Sequence, residues 1–129
     1  MTTVEVEGVK IFGSPYSLEF YDWGFMYPAH DGEKLWSSIE PNTDIVVTHG
    51  PPYGILDRCY DGVKAGCQAL LDKVNQVKPK AHIFGHIHEA AGVEEHNGIK
   101  FINASSVNLH YKMSHPPVTF EIEVPVKGE

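Results

Sequence analysis

The sequence contains few cysteines, no long apolar run and no cluster of basic residues. Its two cysteines, Cys59 and Cys67, do not form a Cys-x-x-Cys pair, so we expect free thiols, with a Cys59–Cys67 disulfide as the alternative. The apolar runs are only a few residues long, which excludes a membrane-spanning helix. The acidic, alternating amino terminus is unlike a signal peptide. These features predict a cytoplasmic protein with no membrane partner.

Basic residues are outnumbered by acidic ones. Ten Lys and Arg stand against 17 Asp and Glu, giving a formal net charge of −7. This balance disfavours a nucleic-acid partner, because phosphate backbones require basic surface. The acidic charge does not exclude a small phosphate ester, which a metal ion could hold. The length of 129 residues and a hydrophobic content of 42% predict one folded domain, residues 1–129.

Two glycine-containing dipeptides predict β-hairpins. Glu7-Gly8 lies between alternating valines and isoleucine, and Asn97-Gly98 lies between two further apolar-rich segments. The alternation from Val118 to Val124 predicts a final strand with one solvent-facing side. The aromatic-rich stretch from Leu18 to Pro28 fits neither period, and we expect an ordered loop with inward-packed aromatics rather than a base-stacking surface.

The middle of the chain reads as a β-α-β unit. Asp44–Thr48 and Ala81–Phe84 are short apolar runs typical of buried strands. Between them, apolar residues from Cys67 to Val77 recur at spacings of three and four, which predicts an amphipathic helix. The two strands should therefore be parallel. A shorter helix is expected from a cap at Asp31 through Ile39.

Three histidines occupy related positions in this unit. His49 follows the first strand, and His86 and His88 follow the second. Since the carboxyl ends of parallel strands meet at one sheet edge, His49 and His86 should meet in space. His88 should face the same way as His86 if that segment is extended. Neutral imidazole is a common ligand of divalent metals, so the three predict a metal site.

Structural alternatives exist for each of these residues. Any single histidine is more often a hydrogen-bonded structural residue than a ligand, and His82, inside a strand, is expected to be a core or supporting histidine. Cys67, at a helix start, fits packing better than a reactive thiol. No base or oxyanion donors can be assigned for nucleophilic catalysis, so no catalytic residue is predicted.

Several motifs together resemble one known family. Thr48-His49-Gly50-Pro51-Pro52 and Phe84-Gly85-His86-Ile87-His88-Glu89 are similar to the last motifs of the calcineurin-like metallophosphoesterases. Within that family the chain resembles the metallophosphoesterase-domain branch. That closer similarity rests on four further segments: 13–15, 54–57, 66–67 and 101–105.

The resemblance implies a fold, cofactors and roles. The fold would be a mixed α/β (α+β) one, the C-terminal half of a four-layer αββα sandwich, with the β-α-β unit followed by hairpins. His49 and His86 would ligate one ion and His88 another, drawn from Mn, Zn, Fe or Mg. Asp57 and Asn103 would contact substrate or support the site, with ordinary turn and loop roles as the alternative. Substrates would be phosphate esters, with cyclic nucleotides as candidates.

The chain departs from the family pattern in one respect. The family's earlier Asp-x-His, Gly-Asp and Gly-Asn-His motifs occur nowhere in it. We therefore expect a partial domain with one ion or none, and weak or no phosphoesterase activity from this chain alone. The alternative is a non-catalytic metal-binding or interaction module that complements or regulates a full-length relative. Exposed sheet surface would favour a homo-oligomer or a partner chain.

Overall fold

A computed structural model of the protein describes residues 1–18, 26–27, 31–106, 112–113 and 115–123. The elements, in chain order, are β1 Thr2–Val6, β2 Val9–Ser14, β3 Ser17–Leu18, β4 Met26–Tyr27, α1 Gly32–Trp36, β5 Ile45–Thr48, α2 Gln68–Val77, β6 Ala81–Phe84, a 3₁₀ helix His88–Ala90, β7 Gly92–His96 and β8 Ile99–Asn103. The main feature is one six-stranded sheet in the order β1-β2-β5-β6-β8-β7, beside a short β3–β4 pair.

The four central strands are parallel, and each edge strand is antiparallel to its neighbour. Both edge strands arise from the predicted hairpins, which are confirmed. Glu7 and Gly8 have φ of 51° and 83°, and Asn97 and Gly98 have φ of 54° and 79°. Positive φ at both central residues is the type I′ pattern, whose twist matches that of the strands it joins.

The predicted β-α-β unit is also confirmed. β5 and β6 pair in parallel, with Val46 opposite His82, and α2 connects them. Cys67 precedes the first residue of α2 and is buried in the core, so its packing role is confirmed. Lys78, in the left-handed conformation at φ 53°, ends the helix before Pro79. Both cysteines are free, which excludes the alternative disulfide.

The core covers one face of the sheet. Phe12, Val46, His82 and Phe101 form a row across the four parallel strands, and all are almost fully buried. The side chains packed over the three apolar members of this row include Trp36, Ile39, Leu70 and Val74. The opposite face is less covered, since Val4, Val47 and Val93 keep 37–48% of their surface exposed.

The predicted strand from Val118 to Val124 is wrong for residues 118–123, which form no strand. The alternation itself is visible, because Phe120 and Ile122 are partly buried while Glu121 and Glu123 are exposed. An alternating pattern defines two faces without defining a backbone partner. The segment lies near Lys80, whose Nζ donates to the carbonyl of Glu123 at 2.9 Å.

The first helix differs from its predicted extent. α1 ends at Trp36, because the hydroxyls of Ser37 and Ser38 donate to the carbonyls of Lys34 and Leu35 and compete with helical bonding. Asp31 precedes the helix as predicted but makes no side-chain cap bond. Its backbone is helical, whereas a capping residue is usually extended so that its side chain can accept from the N–H groups of the first turn.

The aromatic-rich loop from Leu18 to Pro28 lies almost entirely outside the described residues. Within the described ranges, neither α-helix has the length and apolar character needed to cross a bilayer.

Candidate metal centre

The carboxyl ends of the four parallel strands place four turns at one edge of the sheet. β2 ends at Ser14, β5 at Thr48, β6 at Phe84 and β8 at Asn103. His49 therefore follows one central strand, and His86 follows the next. The backbone N–H of Gly85 donates to the carbonyl of His49 at 3.0 Å, so the two turns are joined directly.

The structure brings His49 and His86 into contact. His49 Nε2 lies 3.1 Å from His86 Nδ1, and the ring centroids are 4.7 Å apart at an interplanar angle of 50°. One ring donates a proton to the other, in a direction set by their tautomers. A cation bound to both of these facing nitrogens could take the place of the proton that they share.

The backbone at His86 is unusual. Its φ is 70°, and the N–H of Ile87 donates to the carbonyl of Gly85 at 2.8 Å, closing a three-residue turn around His86. A non-glycine residue in this region costs about 1–3 kcal/mol, and such strain concentrates at functional sites. The turn aims His86 back toward His49 rather than along the strand.

Desolvation favours the neutral form of both rings, although His49 is exposed by surface area and His86 is only partly buried. It lowers the pKa of His86 to about 4, with His49 and His88 acting in the same direction and Glu89 opposing them. It also lowers the pKa of His49, and His88 adds to this effect. Metal ligation requires the unprotonated imidazole nitrogen, so folding removes the proton competition that would weaken binding.

His88 occupies a different local structure from His86. It begins the 3₁₀ helix His88–Ala90, whereas Ile87 is extended and buried. The segment is not continuously extended, so the condition on which His86 and His88 were expected to face the same way is not met. Across the described ranges, no three His, Cys, Asp or Glu side chains converge as a complete metal site.

The two contacting nitrogens nevertheless fit a shared ion. Two nitrogen ligands at about 2.0–2.1 Å from one zinc lie roughly 2.9–3.4 Å apart for ordinary bond angles. The observed 3.1 Å falls within this range. The donor set, two neutral imidazoles, suits zinc, iron or manganese better than magnesium, which prefers oxygen ligands.

Asn103 ties the His86 turn to the neighbouring loop. It is buried at the end of β8, and its Nδ2 donates to the carbonyls of Ile87 at 2.9 Å and Leu56 at 3.1 Å. Its Oδ1 accepts from the N–H and the hydroxyl of Ser105. Both N–H donors and both acceptor positions are therefore occupied by the protein itself.

Asp57 closes the loop that follows His49. It is buried, and its Oδ2 accepts from the backbone N–H groups of Gly54 at 2.8 Å and Gly66 at 2.9 Å. A Cβ at Gly66 would lie 2.2 Å from the carbonyl oxygen of Pro52, so the two ends of this loop cross closely. In the structure both Asp57 and Asn103 bond to backbone groups of loops, and their role as substrate or supporting residues stays a prediction beside the ordinary loop roles.

Two residues near the site, Thr48 and Glu89, belong to the quoted motifs but had no role assigned from the sequence. Thr48 is buried, and its hydroxyl lies 2.9 Å from Nε2 of His82. Glu89 accepts from the N–H of Tyr60 at 2.9 Å and so holds the far side of the loop. Threonine in a strand and glutamate in a turn are ordinary residues, and only the fold reveals these contacts.

The chain is similar in sequence to known proteins and matches one family profile. The calcineurin-like phosphoesterase profile matches residues 6–90. Metallophosphoesterase domain-containing protein 1 of Homo sapiens is 39% identical over 127 residues, covering 95% of this chain and 38% of the relative. A UPF0046 protein of Caenorhabditis elegans is 36% identical over 125 residues, covering 94% of this chain and 31% of the relative.

The fold agrees as well. One solved crystal structure superposes with a TM-score of 0.57 at 20% identity, over 81% of this chain and 44% of that chain. The chain thus spans well under half the length of the curated relatives it matches. The matched residues include His49, His86 and His88, and the chain belongs to the calcineurin-like phosphoesterase family.

Proposed function

We propose that His49 and His86 together bind one divalent metal ion, and that His88 serves a second, in a centre that hydrolyses phosphate esters. The observation that carries this proposal is the 3.1 Å contact between two neutral ring nitrogens at the carboxyl edge of the sheet. Phosphodiesters and phosphomonoesters are the substrate class, and cyclic nucleotides are candidates within it.

The residues of the chain contribute ligands and rigidity to this centre. The turn at His86 and the Gly85–His49 backbone bond fix both rings before an ion arrives, which lowers the entropy cost of binding. A divalent ion held there would polarise a phosphate oxygen and lower the pKa of a bound water. Zinc, iron and manganese suit the imidazoles, and magnesium suits them less well.

The isolated chain should be a weak catalyst or an inactive one. A two-metal site needs a carboxylate between its ions, and the described residues bring no carboxylate together with the three histidines. Hydrolysis of bis(4-nitrophenyl) phosphate with added Mn²⁺ tests this. We expect a turnover well below about 1 s⁻¹. Turnover of about 1 s⁻¹ or more, abolished in His86→Ala, would contradict the expectation.

A second candidate is a non-catalytic module that complements a relative. The observation that favours it is the exposure of three valines, Val4, Val47 and Val93, on the face of the sheet opposite the core. The test mixes the chain with a polypeptide that carries the Asp-x-His, Gly-Asp and Gly-Asn-His motifs of a relative. Phosphodiesterase activity that appears only in the mixture supports complementation, and its absence at saturating concentrations argues against it.

A further inference from the structure

A buried chain of hydrogen bonds links His82 to the turn that carries His49. His82 lies in the centre of β6, opposite Val46, and is fully buried. Its Nε2 is 2.9 Å from Thr48 Oγ1, and Thr48 Oγ1 donates to the carbonyl of Gly50 at 2.7 Å. These three residues, His82, Thr48 and Gly50, are called the His82 chain below.

The geometry of the His82 chain determines the tautomer of His82. A threonine hydroxyl has a single proton, and that of Thr48 is given to Gly50. Thr48 Oγ1 can therefore only accept from His82, which places the ring proton on Nε2. His82 Nδ1 has no hydrogen-bond partner among the described residues, which suits a bare nitrogen and disfavours a buried N–H. Burial also lowers the pKa of His82 to about 3, so the ring is neutral.

The turn from His49 to Pro51 has few other anchors. The carbonyl of His49 accepts from Gly85, and the carbonyl of Pro51 accepts from the N–H of Cys67 at 3.1 Å. The Thr48–Gly50 bond lies between these two and spans His49 itself. Of the three bonds, this one alone depends on a side chain, so a substitution at Thr48 can remove it and leave the two backbone–backbone bonds in place.

We propose that His82 and Thr48 are positioning residues, which hold the His49 ring against His86 through the Thr48–Gly50 bond. The inference concerns the contact between the two rings, and it rests on the proposed function only for its metal-binding consequence. His82 is fully buried and acts through Thr48. It fixes the direction of the Thr48 hydroxyl, and the hydroxyl fixes the turn.

The direct test is NMR of the full chain without metal. Long-range ¹H–¹⁵N correlation should show His82 as the Nε2–H tautomer, and ring-to-ring nuclear Overhauser effects should connect His49 with His86. In Thr48→Val and in His82→Leu, the His49–His86 effects should be lost. They should remain in Thr48→Ser and in His82→Gln, which retain a hydroxyl and a side-chain N–H donor.

A matched control separates positioning from general stability. Ile99→Val removes one methylene from a fully buried residue at the opposite end of β8. It should lower the melting temperature without altering the His49–His86 effects. Calorimetric titration with Zn²⁺ alone should show about tenfold weaker binding for Thr48→Val than for Thr48→Ser.

The outcomes are distinguishable. An Nδ1–H tautomer of His82 in the wild-type chain overturns the inference without any variant. Persistence of the His49–His86 effects in both Thr48→Val and His82→Leu overturns it as well. If the wild-type chain shows the predicted tautomer and variant effects but binds no Zn²⁺, the proposed metal site fails and the positioning role stands.

Discussion

The contact between His49 and His86 depends on two residues that are not candidate metal ligands, Asn103 and Thr48. Asn103 holds the carbonyl of Ile87 and thereby fixes the turn between His86 and His88. Thr48 holds the carbonyl of Gly50 on the other side of the pair. The turn that carries each ring is thus held by a buried side chain, Asn103 or Thr48, that bonds to other groups of the protein. Rigid support of this type lowers the cost of forming the site when a ligand binds.

The buried histidines make the stability of the fold depend on pH. In the unfolded chain, His82 and His86 have pKa values near 6.5, and folding lowers these to about 3 and about 4. As the pH falls below about 6.5, the histidines of the unfolded state bind protons, whereas the same histidines in the folded state stay unprotonated. The free energy of unfolding should therefore decrease as the pH falls toward 4.

Urea unfolding at several pH values in the presence of a chelator measures this dependence. His82 alone contributes a slope approaching about 1.4 kcal/mol per pH unit between its two pKa values. His82→Gln should reduce the slope, whereas Ile99→Val should lower stability equally at every pH. A free energy of unfolding that is the same at pH 7 and pH 5 in the wild-type chain would contradict the burial of these rings in neutral form.

At the scale of elements, the loop between β5 and α2 is held by a close backbone crossing. The N–H of Gly66 donates to Asp57, and its Cα faces the carbonyl of Pro52. Gly66→Ala would place a Cβ 2.2 Å from that oxygen, which forces backbone movement. We expect a loss of about 2–3 kcal/mol in the free energy of unfolding.

Gly13→Ala is the matched control for this substitution. A Cβ at Gly13 would meet only the carbonyl of Thr2, at 4.0 Å, so its effect should stay within about 0.5 kcal/mol. Chemical denaturation of both variants measures the difference. Equal stability of the two alanine variants would show that the crossing is looser than the structure indicates.

The elements themselves were largely predictable from sequence, for local reasons. Glu7-Gly8 and Asn97-Gly98 specify their own turns, and the spacing of apolar residues from Cys67 to Val77 specifies a helix. The segment 118–123 was not predictable, because alternation does not provide a pairing partner. The left-handed turn at His86 was also invisible, since tertiary contacts rather than local preference impose it.

The candidate site could be predicted from the sequence only in part. His49 and His86 could be brought to one edge of the sheet from strand order alone, because parallel strands share their carboxyl ends. The residues that hold them, Thr48 and Asn103, act through hydrogen bonds between segments distant in sequence. No pattern of spacing encodes such bonds, so only the three-dimensional structure identifies them.

At the scale of the whole molecule, the two faces of the sheet are unequal. One face is covered by α1, α2 and the residues around them, whereas Val4, Val47 and Val93 on the other remain 37–48% exposed. Exposed apolar side chains that share one face favour association when they form a patch. We propose that the chain pairs through this face with a second copy or with a partner chain.

Light scattering at high protein concentration tests the association. We expect a mass above that of one chain, and a shift toward monomer in Val47→Lys, which places a charge in the centre of the exposed face. Tyr60→Ser is the control, because Tyr60 is 82% exposed but lies in the loop rather than on the sheet. A monodisperse monomer for the wild-type chain would contradict pairing with a second copy.

The central claim is that His49 and His86 share one metal ion. Calorimetric titration of the purified, metal-free chain with Zn²⁺ tests it most directly, with His49→Ala and His86→Ala as variants and the exposed hairpin residue His96→Ala as control. We predict that the wild type and His96→Ala bind Zn²⁺ with equal affinity, and that each of the other variants binds at least about tenfold more weakly. Equal Zn²⁺ affinity in the wild type, His49→Ala and His86→Ala, or no binding by the wild type, would contradict the claim.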